Sequence, residues 1–146
     1  MGGNITIQEV VYQSPDYYKV WQVREDVLRI PIGLSLKDED LSDDAEDITL
    51  AVKDGEEVIG CVMLKPKDSS TIKLRQMAIV PSWQGKGIGR QLISEAERIA
   101  SAKGFGKIIL HARITAVNFY SKEAYMITGK QFTEVGIPHI AMYKTL

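Results

Sequence analysis

Residues 74–100 read LRQMAIVPSWQGKGIGRQLISEAERIA, and the spacing of apolar side chains changes halfway along this stretch. In LRQMAIVP successive side chains are expected to alternate as in a strand, with Leu74, Gln76, Ala78 and Val80 on one face and Arg75, Met77 and Ile79 on the other. Pro81 has no N–H to offer a neighbouring strand and ends the pairing. From Ile88 the period becomes helical: Ile88, Leu92, Ala96 and Ile99 form an apolar stripe, with Arg90, Glu95, Glu97 and Arg98 largely off it. Between the two lies QGKGIG, Gln84 to Gly89. Its alternating glycines let backbone amides approach a bulky anion at the positive end of the following helix. The stretch reads as a phosphate cradle.

Other glycine loops fit less well. A nucleotide P-loop needs Gly-Lys-[Ser/Thr] after a four-residue spacer, whereas Gly87 is followed by Ile88-Gly89 with no hydroxyl. A dinucleotide fingerprint, counted from Gly85 and Gly87, would need glycine where Arg90 stands. Gln84-x-x-Gly87-x-Gly89, preceded by a strand ending at Pro81, resembles the acetyl-coenzyme A pyrophosphate loop of the GNAT N-acetyltransferase superfamily. That resemblance implies cofactor contacts along Met77, Ala78 and Ile79 and along Gln84, Gly85, Lys86, Gly87, Ile88, Gly89 and Arg90.

A chain of 146 residues with 45% apolar and 25% charged side chains is expected to form one domain, spanning residues 1–146, with a full core. A net charge of −1 offers no bulk attraction to nucleic acid or an anionic membrane, and no such partner is expected. The single cysteine, Cys61, lies within the apolar run VIGCVML and reads as a small buried hydrophobe. With no intramolecular disulfide possible and no signal or spanning segment evident, a reducing cytoplasm is the expected setting. MGGNIT formally fits an N-myristoylation start, a short pattern that is outweighed here.

In chain order, ITIQEVVY at 5–12 reads as a strand. Ser14-Pro15 supplies a cap and a first-turn proline for a helix to about Arg29, with Trp21, Arg24 and Leu28 on one face. IPIG at 30–33 stops it. The segment DEDLSDDAED at 38–47 carries seven acidic residues and reads as a solvated loop; a metal site is disfavoured and no metal is expected. ITLAVKDG and EVIGCVMLK form a hairpin around Asp54-Gly55, and Thr71 opens the third strand of an antiparallel meander. Beyond the central helix come KIILHAR as a strand, TAVNFYSKEAY as a helix, and strands at about 127–134 and 138–145 flanking Gly136-Ile137-Pro138. This order predicts an α+β domain with one mixed, mostly antiparallel sheet of six to seven strands and helices on both faces. It is the order of the GNAT fold.

The resemblance extends to a second signature, in which a helix ends in Phe/Leu-Tyr-x-Lys-Leu-Gly-Phe; here the residues are Phe119-Tyr120-Ser121-Lys122-Glu123-Ala124-Tyr125. Glu123 and Ala124 depart from Leu-Gly, so a left-handed Ala124 would carry a cost of about 1 kcal/mol. VLRIP, LRQMA, HARITAVNFY and GIPHIAMYK look like segments of the glyphosate N-acetyltransferase-like branch. That likeness implies a small amine acceptor bearing carboxylate or phosphonate, held by Arg29, Arg75 and Arg113, with His139 as general base and Tyr120 as general acid. His111, on the same strand face as Arg113, is the reserve base or an acceptor contact. Guanidinium forks suit bidentate oxyanions, and imidazole titrates near neutrality. Backbone amides around Met77 to Ile79 would polarise the thioester carbonyl. Acetyl-CoA is thus the expected cosubstrate, attacked directly by the amine. Peptide or protein acetylation, or a catalytically weak acyl-CoA-binding module, are the alternatives, and the assembly is expected to be a monomer or homodimer.

Overall fold

The computed structural model describes residues 5–146, so the MGGN start of the myristoylation pattern lies outside the described residues. The strands are β1 (Ile5–Val10), β2 (Ile48–Asp54), β3 (Glu57–Pro66), β4 (Thr71–Ile79), β5 (Lys107–Arg113), β6 (Met126–Glu134) and β7 (Ile137–Thr145). They form one sheet in the order β1-β2-β3-β4-β5-β7-β6. Among the described residues only β4 and β5 run parallel; every other neighbouring pair there is antiparallel. The helices are α1 (Pro15–Arg24), α2 (Ile88–Ala102) and the short α3 (Val117–Lys122). The α+β fold with a mixed sheet matches the expectation.

Two apolar clusters sit on opposite faces of this sheet. One joins α2 and α3 to Leu50, Ile59, Leu74, Ile108 and Leu110; the other joins α1 to Val10, Ala51, Cys61 and Ala78. Strand alternation explains most of the division, since Ala51 and Cys61 point one way and Leu50 and Val62 the other.

The alternation breaks in β4. Cys61 faces Ala78 and Met63 faces Arg75, so one residue of β3, Val62, opposes both Gln76 and Met77. This is a β-bulge, with Gln76 at φ 55°. The extra residue turns the remainder of the strand over: Leu74 packs under α2 while Ala78 packs under α1. The expected placement of Leu74, Gln76, Ala78 and Val80 on one face is therefore corrected at the bulge. Close approach around it also fixes Gly60, where a Cβ would lie 2.7 Å from Ile79 Cδ1 and 3.1 Å from the Ala78 carbonyl.

The β4 and β5 strands diverge beyond this point. Their pairing runs only from Thr71↔Lys107 to Leu74↔Leu110; β4 then continues against β3 to Ile79, and β5 against β7 to Arg113↔His139. The wedge between them opens next to the bulge.

Helix α1 starts as expected, with Ser14 Oγ accepting from the Tyr17 amide and Pro15 in the first turn. Its buried face is Tyr17, Val20, Val23 and Arg24; Trp21 and Leu28 are only partly covered. Residues Glu25–Arg29 wind as a π-turn, closed by the Ile30 amide on the Glu25 carbonyl, before Gly33 ends the segment in a left-handed conformation. Helix α3 is shorter than TAVNFYSKEAY suggested, because Ile114–Ala116 wind as a separate 3-10 turn and the chain leaves the helix at Glu123. The last hairpin turns at Val135-Gly136, at φ 46° and 75°, so Ile137 and Pro138 belong to β7.

Ala124 adopts φ 72°, the left-handed conformation that glycine takes without a Cβ penalty. Ala124→Gly is therefore expected to raise stability by about 0.5–1 kcal/mol after the entropy of the unfolded glycine is counted. Urea unfolding checks this, with a higher midpoint and an unchanged slope.

Candidate active site

Helix α2 begins with an unusual cap. Gly87 is its N-cap residue at φ 81°, and no side chain accepts from the first-turn amides. The first intrahelical bond at this end runs from the Gln91 amide to the Gly87 carbonyl, which leaves the amides of Ile88, Gly89 and Arg90 ahead of the helical ladder. Gly85, at φ 76°, is also left-handed, and a Cβ at Gly85 or Gly87 would meet nothing within 4 Å. Gly89 is different: its Cβ would lie 3.2 Å from both Met77 Cε and Phe119 Cζ, so here glycine lets the helix pack closely on β4 and α3. An open, uncapped helix start fits a polyanion such as the pyrophosphate of acetyl-CoA.

A cavity of about 540 Å³ occupies the wedge between β4 and β5. It brings together Arg29, Arg75, Met77, Gln84, His111, Arg113, Tyr120 and His139. The other expected cofactor-binding residues are arranged differently. Ala78 is buried towards α1, Ile88 at the start of α2 is buried in the core, and Lys86 and Arg90 project into solvent, with Lys86 over the Trp83 ring. Ile79 contributes its carbonyl, which accepts from Gln84 Nε2 at 2.8 Å and thereby ties the loop to the end of β4.

Tyr120 reaches the cavity from the α3 side, with its hydroxyl 3.5 Å from Met77 Sδ. Burial pushes the phenol up to about 12, so it remains protonated at neutral pH. His139 is 4% exposed and stands opposite Arg113 in the β5–β7 ladder. Its Nδ1 lies 2.8 Å from the Ile137 carbonyl, a contact only an Nδ1–H can make, so in the neutral ring it is Nε2 that carries the lone pair. A proton acceptor and a proton donor thus line one cavity.

The arginines are not equivalent. Arg29 makes a two-pronged pair with Glu39, at 2.6 and 3.3 Å. Arg75 Nη1 lies 2.6 Å from Asp47 and 3.3 Å from Asp44. Arg113 instead donates to the Leu28 carbonyl at 3.1 Å, a carbonyl that Arg29 also contacts. Burial, followed by the charge of Arg29, lowers the pKa of Arg113. The acidic segment is therefore only partly the solvated loop expected: Asp44 and Asp47 are buried and, with Glu39, neutralise two of the three arginines. Two further lining residues, Lys73 and Glu134, carry charge that the sequence reading did not assign to the site. Lys73 was accessible to it, two places before Arg75 on one strand face.

The same acidic pair secures the bulge. Arg24 is fully buried; its Nη1 lies 2.7 Å from Asp44 Oδ2 and its Nε donates to Gln76 Oε1 at 3.0 Å. The Tyr17 hydroxyl donates to the same Asp44 oxygen at 2.7 Å. Cys61 lies against the bulge, its thiol 3.4 Å from the Gln76 carbonyl and pushed up to about 12 by burial, which suits a packed hydrophobe and not a nucleophile.

Residues 11–125 match the family model described as Acetyltransferase (GNAT) family, and the chain belongs to that family. The Bacillus subtilis protein YyaT is 36% identical over 76 residues, 52% of this chain and 51% of that one. YitI of the same bacterium, described as an uncharacterized N-acetyltransferase, is 32% identical over 80 residues, 54% of each chain. The chain thus aligns with about half the length of these relatives. A Lactobacillus plantarum structure assigned as an N-acetyltransferase superposes with a TM-score of 0.88 at 24% identity, covering 99% of both chains. A GNAT acetyltransferase of Elizabethkingia anophelis with acetyl-CoA bound gives 0.76 at 23% identity, again over 99% of both. At these identities the likeness establishes the fold.

Asp44 generates a prediction about stability. Burial alone would raise its carboxyl, but bonds from Arg24 and Tyr17 and the charges of Arg24 and Arg75 outweigh burial and hold it below the ordinary value. A depressed carboxyl contributes fully above its unfolded pKa, near pH 4, and the contribution is lost as pH falls below it. Asp44→Asn should cost about 3 kcal/mol at pH 7, since Arg24 is left buried without its counter-charge. The wild-type advantage over the variant should shrink below about pH 4, as measured by denaturant unfolding across pH.

Proposed function

We propose that this protein is an acetyl-CoA-dependent N-acetyltransferase acting on a small amine that carries a carboxylate or phosphonate, by direct transfer in a ternary complex. The observation that carries this reading is the wedge between β4 and β5: it joins an uncapped glycine helix start to a cavity holding an imidazole lone pair and a buried phenol. Family membership and the acetyl-CoA bound in the Elizabethkingia anophelis neighbour support the choice of cosubstrate.

The loop at 84–90 would hold the pyrophosphate through its amides, with acetyl-CoA supplying the activated acyl group. Met77, Tyr120 and His139 line the same cavity as Gln84 of that loop. His139 Nε2 takes a proton from the acceptor's ammonium, which frees the lone pair for attack on the thioester. Tyr120 gives its proton to the departing sulfur. Amides of the bulged segment of β4, around Met77 to Ile79, stabilise the carbonyl oxygen. Arg113, which lacks the carboxylate partners of Arg29 and Arg75, is the fork best placed to receive the acceptor's anion; the other two are already paired with carboxylates at the cavity wall.

A thiol-release assay with acetyl-CoA across amino acids, aminophosphonates, polyamines, aminoglycosides and peptides tests this. Anionic amines are expected to turn over best; preference for polyamines or uncharged arylamines would remove the anion-pocket reading. Tyr120→Phe should lower kcat on the order of 100-fold while sparing acetyl-CoA affinity. His139→Ala should abolish the low-pH limb of the rate profile, and loss of that limb in His111→Ala instead would reassign the base. Arg113→Lys should raise the acceptor KM about 10-fold with little effect on the KM of acetyl-CoA.

A further inference from the structure

Glu134, at the end of β6, is left unused by this mechanism although it faces both histidines. Its Oε1 lies 2.9 Å from His111 Nδ1, and its Oε2 lies 3.9 Å from His139 Nε2. Phe132 lies against both imidazoles, edge-on to His111 with centroids 4.9 Å apart and stacked on His139 at 6.1 Å. The carboxylate spans the two histidines at the cavity wall and is 43% exposed, within reach of a ligand.

The two contacts differ in chemical sense. His111 Nδ1 can donate to Oε1, and the nearby Lys73 Nζ, 3.3 Å from the same nitrogen, adds positive charge to that side. Burial works to raise the Glu134 carboxyl, but the hydrogen bond and charge of His111 and the charge of Lys73 hold it below its ordinary value, so it is an anion at neutral pH. His139 has committed its N–H to the Ile137 carbonyl. In the neutral ring Nε2 therefore presents a lone pair to Oε2, and two acceptors face each other 3.9 Å apart without a proton of their own to share. A nitrogen about 2.8 Å from each would see them at roughly a right angle, close to the spread of N–H bonds on an ammonium.

We propose that Glu134 Oε2 and His139 Nε2 form a seat for the acceptor's ammonium, so that the protein selects zwitterions whose anion lies on Arg113. This rests on the acetyltransferase reading and narrows its substrate class. Arg113 and His139 are direct cross-strand partners, which puts the two seats on the same rung and favours acceptors with amine and anion close together. The step balances. One ammonium proton passes to His139 and then to solvent, and Glu134 stabilises the imidazolium meanwhile. The C–N bond forms, the C–S bond breaks, and the sulfur takes the Tyr120 proton; the second proton lost by nitrogen restores Tyr120.

The test is calorimetric binding to the full chain saturated with coenzyme A, comparing β-alanine with propionate and aminomethylphosphonate with methylphosphonate. Wild type should bind each amine at least about 10-fold more tightly than its amine-free partner. Glu134→Gln should erase that difference, Glu134→Asp should retain part of it, and Arg113→Lys should weaken both members of each pair alike. Equal binding of the paired compounds by wild type, or discrimination that survives in Glu134→Gln, overturns the proposal. Coenzyme A binding in the same samples separates the two levels, because its absence would sink the acetyltransferase reading itself.

Discussion

A fully buried guanidinium, Arg24, sits against the bulge in β4, and the shape of the site depends on how its charge is met. An uncompensated charge there would be untenable, so Asp44 must stay buried and ionised beside it. With Asp44 in place, Arg24 can hold the Gln76 side chain while the backbone of that residue occupies a left-handed conformation that non-glycine residues usually avoid. The bulge then reverses the later residues of β4: Met77 turns towards α3 and the cavity, and Ala78 turns towards α1. Local strain in one strand thus shapes a site whose chemical groups come from several others.

The buried network extends from the bulge to the cavity. Asp44 and Asp47 bind Arg75 from behind, Glu39 does the same for Arg29, and the π-turn brings the Leu28 carbonyl to Arg113. Burial raises Asp47 despite its bond to Arg75, while Asp44 is lowered, so the two carboxylates contribute to stability with opposite pH dependence. The result is a cavity whose positive charge is graded. Arg113 is the arginine still lacking a carboxylate partner among the described contacts, and His139 lies across the ladder from it.

Much of the fold was legible in the sequence because it rests on local rules. The alternation of KIILHAR, the stripe of α2, the Ser14-Pro15 start and the glycine turns all correspond to observed elements. Ala124 even takes the left-handed conformation that its place in the second signature required. The bulge was not legible, since nothing in LRQMAIVP marks Gln76 as the extra residue, and the side chain that holds Gln76 is Arg24, 52 positions away. The acidic segment was misread for a similar reason. Its local composition is that of a solvated loop, and only the tertiary approach of Arg24, Arg29 and Arg75 turns three of its carboxylates into partners. Glu134 fell within the expected strand at 127–134, but with Ile137 left in the turn its pairing there was missed, and its approach to His111 and His139 is a tertiary contact that local spacing does not show.

The central claim is that the glycine start of α2 is an acetyl-CoA pyrophosphate seat, and Gly87 is the position at which to test it. A side chain at Gly89 would press on Met77 and Phe119 and disturb packing, whereas Gly87 has open space around its missing Cβ. Aspartate tolerates a left-handed backbone better than most residues and would direct a carboxylate at the same amides. Calorimetric titration of acetyl-CoA into wild type and Gly87→Asp is therefore the most direct measurement. The account predicts saturable binding to wild type and a loss of about 100-fold or more in the folded variant. Equal affinity in the two proteins would contradict it.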